Sequence, residues 1–127
     1  TCGDLVAFIR SLPFVYETEH YIFVHAGLDL TLPDWHETTD YQKVWIRQPF
    51  HEATNQTGKT IVFGHTPVHY LLDQKIGTKE LWVTEDGKIG MDGGAVYGGV
   101  LHGILFDESG MKADVALVND GFAAIDD

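Results

Sequence analysis

The chain has 127 residues, a formal net charge of -11 and a pI near 4.8, and 44% of its residues are hydrophobic. This length fits one small domain with a core of its own. Nucleic acid and anionic membranes are not expected partners, because both require a basic protein surface. The lone cysteine cannot form an internal disulfide, and we see neither a membrane helix nor a signal peptide, so we expect a cytoplasmic protein.

The amino-terminal part predicts one helix and two strands. Residues 4–12 place apolar side chains at helical spacing behind Asp4, which we interpret as the cap, and Pro13 ends the helix. Residues 15–18 predict a short edge strand. Residues 21–25 form an apolar run that stops at a glycine, which is typical of a buried strand before a tight turn.

The middle of the chain predicts a polar loop over residues 28–40, a short helix or turn over 41–46, and a second buried strand over 60–63. Two hairpins follow. Residues 85–87, which contain an Asp-Gly turn, separate 81–84 from 88–91, and residues 107–110 form the turn between 101–106 and 112–118.

The order of these elements predicts an α/β (α+β) fold that spans residues 1–127 as part of one domain. Its second half is expected to consist largely of antiparallel meanders. The acidic tail, residues 119–127, is expected to be disordered.

Two histidines carry the strongest functional signal, because each follows a predicted buried strand. His25 follows residues 21–24, and His65 follows residues 60–63 and one glycine. Strand ends of this kind bind ligands in α/β proteins, and neutral imidazole is a common metal ligand. The alternative is a pair of hydrogen-bonded histidines at a sheet edge. The repetition favours one shared site for metal or phosphate chemistry.

Arg47 is the next candidate, since it stands among bulky apolar residues in a chain with few cations. A guanidinium grips a phosphate or carboxylate with two parallel hydrogen bonds. The alternative is a surface arginine whose stem packs on Trp45 or Phe50.

A glycine-dense segment, residues 91–99, is interpreted as structural and as bordering a site, with Asp92 and Tyr97 as supporting groups. The other five histidines form no ligand set in the sequence, and most of them are expected to be solvated. They are His20, His36, His51, His69 and His102.

Four segments in this order resemble the metallophosphoesterase superfamily, and in particular its bacterial serine/threonine protein phosphatases of the PPP type. They are residues 23–28 (FVHAGL), 44–47 (VWIR), 62–67 (VFGHTP) and 91–99 (MDGGAVYGG). The resemblance implies the carboxyl-terminal half of a β-sandwich flanked by helices, with a mixed sheet and antiparallel hairpins. It covers about residues 4–107.

The resemblance also implies two divalent metal ions (manganese, iron or zinc) that supply an activated water for in-line attack on phosphorus. His25 and His65 would bind one of these ions. Arg47 would clamp the substrate phosphate, with Tyr97 beside the substrate and Asp92 behind the site. Pro67, where other branches carry a second histidine, favours the PPP-like branch.

Three further motifs of that superfamily do not occur in the chain: Gly-Asp-x-His-Gly, Gly-Asp-x-x-Asp-Arg-Gly and Gly-Asn-His-Glu. Together with the first residue, Thr1, this suggests a fragment of a longer enzyme, inactive by itself. We expect self-association or pairing with the missing half, which would cover apolar surface and an open sheet edge.

Three other interpretations stay open. The complete enzyme could hydrolyse nucleotides, as the symmetrical diadenosine tetraphosphatases do, instead of phosphoserine and phosphothreonine proteins. The chain could be a binding or regulatory module that lost its metal site. It could also be an α/β domain without phosphate chemistry.

Overall fold

The computed structural model describes residues 1–118 and has a mixed α/β fold, as the sequence predicts. Its helices are α1 (Cys2–Ser11), α2 (Asp40–Trp45) and α3 (Val68–Leu71), and its strands are β1 (Val15–Glu17), β2 (Tyr21–Val24), β3 (Thr60–Phe63), β4 (Trp82–Val83), β5 (Lys88–Gly90), β6 (Val100–Asp107) and β7 (Gly110–Val118). Two 3-10 turns cover Trp35–Glu37 and Ala95–Tyr97. The predicted disordered tail lies outside the described residues. Within residues 1–118, no helix is long and apolar enough to cross a bilayer.

Five strands form one sheet in the order β1-β2-β3-β5-β4. β2, β3 and β5 run parallel, while β1 and β4 are antiparallel edges. The carboxyl ends of β2 and β3 therefore lie side by side. This topology brings the two strand-end histidines to the same edge of the sheet, as predicted.

One face of this sheet holds the main core. Ile22 and Val24 of β2 alternate inward beside Ile61 and Phe63 of β3, and the ring of Phe50 packs edge-on against Phe63 at 4.9 Å between centroids. This alternation is the two-residue period of strand side chains. The core therefore holds in place the two strands that precede the histidines.

A buried lysine fastens the 48–54 loop to this core. Lys88 on β5 is 1% exposed, and its ammonium donates hydrogen bonds to the backbone oxygens of His51 and Ala53. Removal from water lowers the pKa of Lys88 below its usual range. No charge pattern in the sequence indicated this role.

The carboxyl-terminal hairpin forms a second sheet of β6 and β7 only. Phe106 packs against the rings of Tyr21 and Phe23 on the first sheet, with centroids 5.0 and 5.6 Å apart. The two predicted antiparallel hairpins and the mixed sheet are confirmed. The parallel pairing of β5 with β3, which leaves the second hairpin as a separate sheet, was not predicted.

Several local predictions need correction. The cap of α1 is Thr1, and Asp4 is the third residue of the helix. The Asp4 carboxylate accepts a hydrogen bond from the Thr1 amino group, and the Thr1 hydroxyl accepts one from the Asp4 backbone N–H. Such reciprocal capping lets the helix begin at Cys2. His51 and His102 are buried, not solvated, and the short helix α3 was not predicted.

Candidate functional site

The two strand-end histidines lie against each other. The Gly64 N–H donates to the His25 carbonyl oxygen at 2.7 Å, which ties the two strand ends together. The imidazole rings of His25 and His65 are 5.3 Å apart between centroids. His65 has a φ of +69°, a conformation uncommon for a side-chain-bearing residue and enriched at functional sites. The two imidazoles that the sequence predicts to share a site are thus adjacent.

The surroundings of His65 favour its neutral form. Burial lowers the pKa of His65 below its ordinary value, and the charges of His25 and Arg47 lower it further, against opposing contributions from the Trp45 backbone and Asp92. The Trp45 ring meets the His65 ring at a right angle, 5.5 Å between centroids. A neutral imidazole has a free lone pair, which a metal ion requires.

Arg47 is held beside this pair by a buried anchor. It follows Ile46, which ends α2 and lies in the core at 8% exposure. The Ala26 N–H donates to the Lys43 oxygen at 2.9 Å and attaches α2 to the loop after His25. Within residues 1–118, the Arg47 guanidinium makes no hydrogen bond or ion pair with a side chain. An unpaired guanidinium in so acidic a protein is available for an external anion.

Two cavities share Arg47 and His65 as a common wall. The larger, about 560 Å³, continues along Tyr41, Gln42 and Trp45. The smaller, about 310 Å³, is lined in addition by Pro67, His69, Tyr70, Ile76 and Tyr97. No acidic residue among the described ones lines either cavity. Neither cavity therefore opposes a bound anion through a negative charge in its own lining.

Asp92 supports the site from behind. Its backbone oxygen accepts from the Val68 N–H at 2.7 Å, at the start of α3, and its carboxylate accepts from the Gly94 N–H at 2.9 Å. These bonds fix the glycine-dense segment against the loop that follows His65. Tyr97, at the end of that segment, is 71% exposed and lines the smaller cavity, so both residues border the site.

The donor set present fits only part of a divalent metal site. Two imidazoles 5.3 Å apart between centroids are compatible with one ion, but a stable site needs at least three or four protein ligands. Among the described residues no carboxylate joins them in a ligand-like group. The one group of three that the described residues form is Glu19, His20 and Glu108, all exposed. Glu19 and His20 precede β2, at the end of that strand opposite His25, and Glu108 lies in the turn between β6 and β7. No sequence spacing indicated this group, because Glu108 is far along the chain from His20.

His69 is the lining residue that sequence reasoning missed. It lies in α3, four residues after His65, but His65 itself lies outside that helix, so no helical spacing in the sequence links the two histidines. The helix was not recognised because it is only four residues long.

Comparison with known proteins returned no relatives: no protein-family model, no curated protein and no solved structure matches the chain. Function must therefore be inferred from the residues and their geometry.

Proposed function

We propose that this chain is the carboxyl-terminal part of a metallophosphoesterase domain with the β-sandwich fold of that superfamily. The complete protein would be a cytoplasmic, metal-dependent phosphatase that hydrolyses phosphomonoesters on phosphoserine and phosphothreonine proteins. The single observation that carries the proposal is the convergence of His25, His65 and the unpaired Arg47 at one edge of the sheet, beside two cavities without acidic lining residues.

Each of these side chains has a role that its surroundings support. His25 and His65 would hold one of two divalent ions (manganese, iron or zinc), whose contribution is to activate the attacking water. Arg47 would bind and orient the phosphate through its two parallel N–H groups. Asp92 keeps the supporting loop in place, and Tyr97 borders the substrate.

The absent carboxylates predict that the isolated chain does not turn over substrate. The ligands beyond His25 and His65 would come from the missing motifs, in the same polypeptide or in a partner segment. A phosphomonoester assay with added manganese tests this, and turnover by the chain alone would contradict it.

Phosphate binding can be tested without turnover, because it requires Arg47 but no metal. We expect inorganic phosphate, added in the presence of EDTA, to shift the NMR signals of Arg47 and His65. Arg47→Gln should weaken this binding by about tenfold or more, the loss of a charge-assisted hydrogen-bond pair. Arg10→Gln is the matched control, because Arg10 is the other arginine and lies away from both cavities.

Unchanged phosphate binding in Arg47→Gln would contradict the proposal.

The nucleotide alternative, a symmetrical diadenosine tetraphosphatase, draws support from the aromatic side chains on both sides of Arg47, namely Trp45 and Tyr97. A non-catalytic module would bind phosphate equally well but would remain inactive after the missing half is supplied.

A further inference from the structure

The smaller cavity contains a side chain that the proposed chemistry does not use. His69 lines it together with Arg47 and His65, to which the phosphate and metal roles are already assigned. The other new lining groups are rings or apolar side chains: Pro67, Tyr70, Ile76 and Tyr97. The cavity thus combines an anion-binding wall with apolar walls.

The imidazole of His69 is oriented by its contacts. Its Nδ1 is buried without a hydrogen-bond partner among the described residues. On that side the ring faces the backbone of Gly94, where an added Cβ would lie 3.7 Å from Nδ1. A buried, unpaired lone pair costs less than a buried, unpaired N–H. We therefore assign an N–H to Nε2, the other ring nitrogen, which makes His69 a hydrogen-bond donor.

The tyrosines supply area for a flat group. Tyr70 and Tyr97 are each 71% exposed, and the Tyr70 ring also contacts the His69 imidazole, with centroids 4.1 Å apart. Aromatic rings gain stability by stacking on or meeting another ring edge-on. A cavity of about 310 Å³ is large enough to hold a six-membered ring and its substituent.

From this combination we propose that the smaller cavity receives the organic group of the phosphoester. This group is a planar ring with a hydrogen-bond acceptor, and His69 determines specificity by donating to that acceptor. The inference rests on the proposed function, since it takes Arg47 as the phosphate anchor. It departs from the proposed function in substrate class, because phosphoserine and phosphothreonine carry no ring, and the cavity would instead select a ring-bearing phosphoester.

Three phosphonates that cannot be hydrolysed test this, each titrated in the presence of EDTA and followed by NMR. Methylphosphonate reports on the anchor, phenylphosphonate adds the ring, and 4-acetylphenylphosphonate adds an acceptor. We expect the phenyl compound to bind at least about fivefold more tightly than the methyl compound, because the ring leaves water. The acetyl group should add about threefold, the worth of one hydrogen bond.

Variants of His69 separate a donor from a merely structural residue. His69→Leu should abolish the threefold preference for the acetyl compound and leave methylphosphonate binding unchanged. His69→Gln, which keeps an N–H donor, should restore the preference. His20→Leu serves as the control histidine, because His20 lies at the other end of β2, and circular dichroism confirms that each variant is folded.

The outcomes distinguish the two proposals. If methylphosphonate leaves Arg47 unperturbed, the proposed function fails. If it binds but neither aryl compound binds more tightly, or if His69→Leu keeps the acetyl preference, the cavity proposal alone is overturned. Adenosine 5'-monophosphate and O-phosphotyrosine then identify the source of the ring, and failure of both to bind more tightly than methylphosphonate also overturns it.

Discussion

The burial of an individual residue cannot always be predicted from its sequence neighbours, and His51 is an example. His51 stands in a polar loop, yet its ring stacks on Phe63, with centroids 5.7 Å apart, and its Nε2 is buried without a partner among the described residues. Burial, assisted by the charges of Lys88, Arg47 and His65, lowers the pKa of His51 to about 4. His51 is therefore a neutral core residue at neutral pH.

This burial makes stability depend on pH in a defined direction. The ordinary pKa of histidine, about 6.5, applies to the unfolded chain, so between pH 6.5 and 4 the unfolded chain binds more protons than the native one. The contribution of His51 is fully present above pH 6.5 and is lost as the pH falls toward 4. Between pH 7 and 4.5 it should cost about 2 kcal/mol of the free energy of unfolding.

Urea unfolding of wild type and His51→Phe at both pH values isolates this contribution, because phenylalanine keeps a ring at the position but does not titrate. We expect the wild type to lose about 2 kcal/mol more than the variant on acidification. Equal losses would show that His51 does not titrate in this range in the native protein.

At the level of elements, the glycine-dense segment is a close crossing of two backbones. An added Cβ on Gly93 would overlap the backbone oxygen of Val100, where β6 begins, and one on Gly99 would overlap the oxygen of Gly93. Gly103, inside β6, has nothing within 4 Å of the same position. The glycines are therefore required where the chain crosses itself and dispensable where it does not.

Gly93→Ala should destabilise the protein by about 2 kcal/mol or more, because the overlap is with backbone that cannot turn aside. Gly103→Ala should change stability by less than about 0.5 kcal/mol and is the matched control. Urea unfolding measures both free energies. A mild effect at Gly93 would mean that β6 can shift away from the segment without loss.

Elements with a local signature could be predicted from the sequence, and those that depend on distant partners could not. Residues 60–63 and the Asp-Gly turn before Lys88 were recognised because period and turn chemistry are local. The parallel pairing of β5 with β3 was missed, since nothing in a three-residue strand specifies its distant neighbour. The same reason applies to the site. His25 and His65 were recognised because each follows a predicted strand, whereas His69 lies in a helix too short to be recognised.

At the scale of the whole molecule, much apolar surface is uncovered. No residue of α1 is buried, and Phe8 and Ile9 are 59% and 56% exposed. Ile9 lines an apolar groove of about 730 Å³ that runs between α1 and the sheet and also includes Phe14 and Phe23. Patches of this kind on soluble domains mark interfaces.

We therefore expect the purified chain to self-associate through this groove. Light scattering should give a mass above the 14.1 kDa of one chain, increasing with concentration. Ile9→Glu should shift the mass back toward that of the monomer, because a carboxylate in a closed apolar groove loses its hydration. Val96→Glu is the control, since Val96 is 86% exposed and lies outside the groove.

Hydrogen exchange provides a second, independent measurement of the same surface. A ten-residue helix with no buried side chain is barely stable by itself, so in the monomer α1 should exchange much faster than β3. Association through the groove should slow exchange in α1 at high protein concentration and leave β3 unchanged. A strictly monomeric chain with a well-protected α1 would contradict the expectation, since the helix would then be stable without any cover.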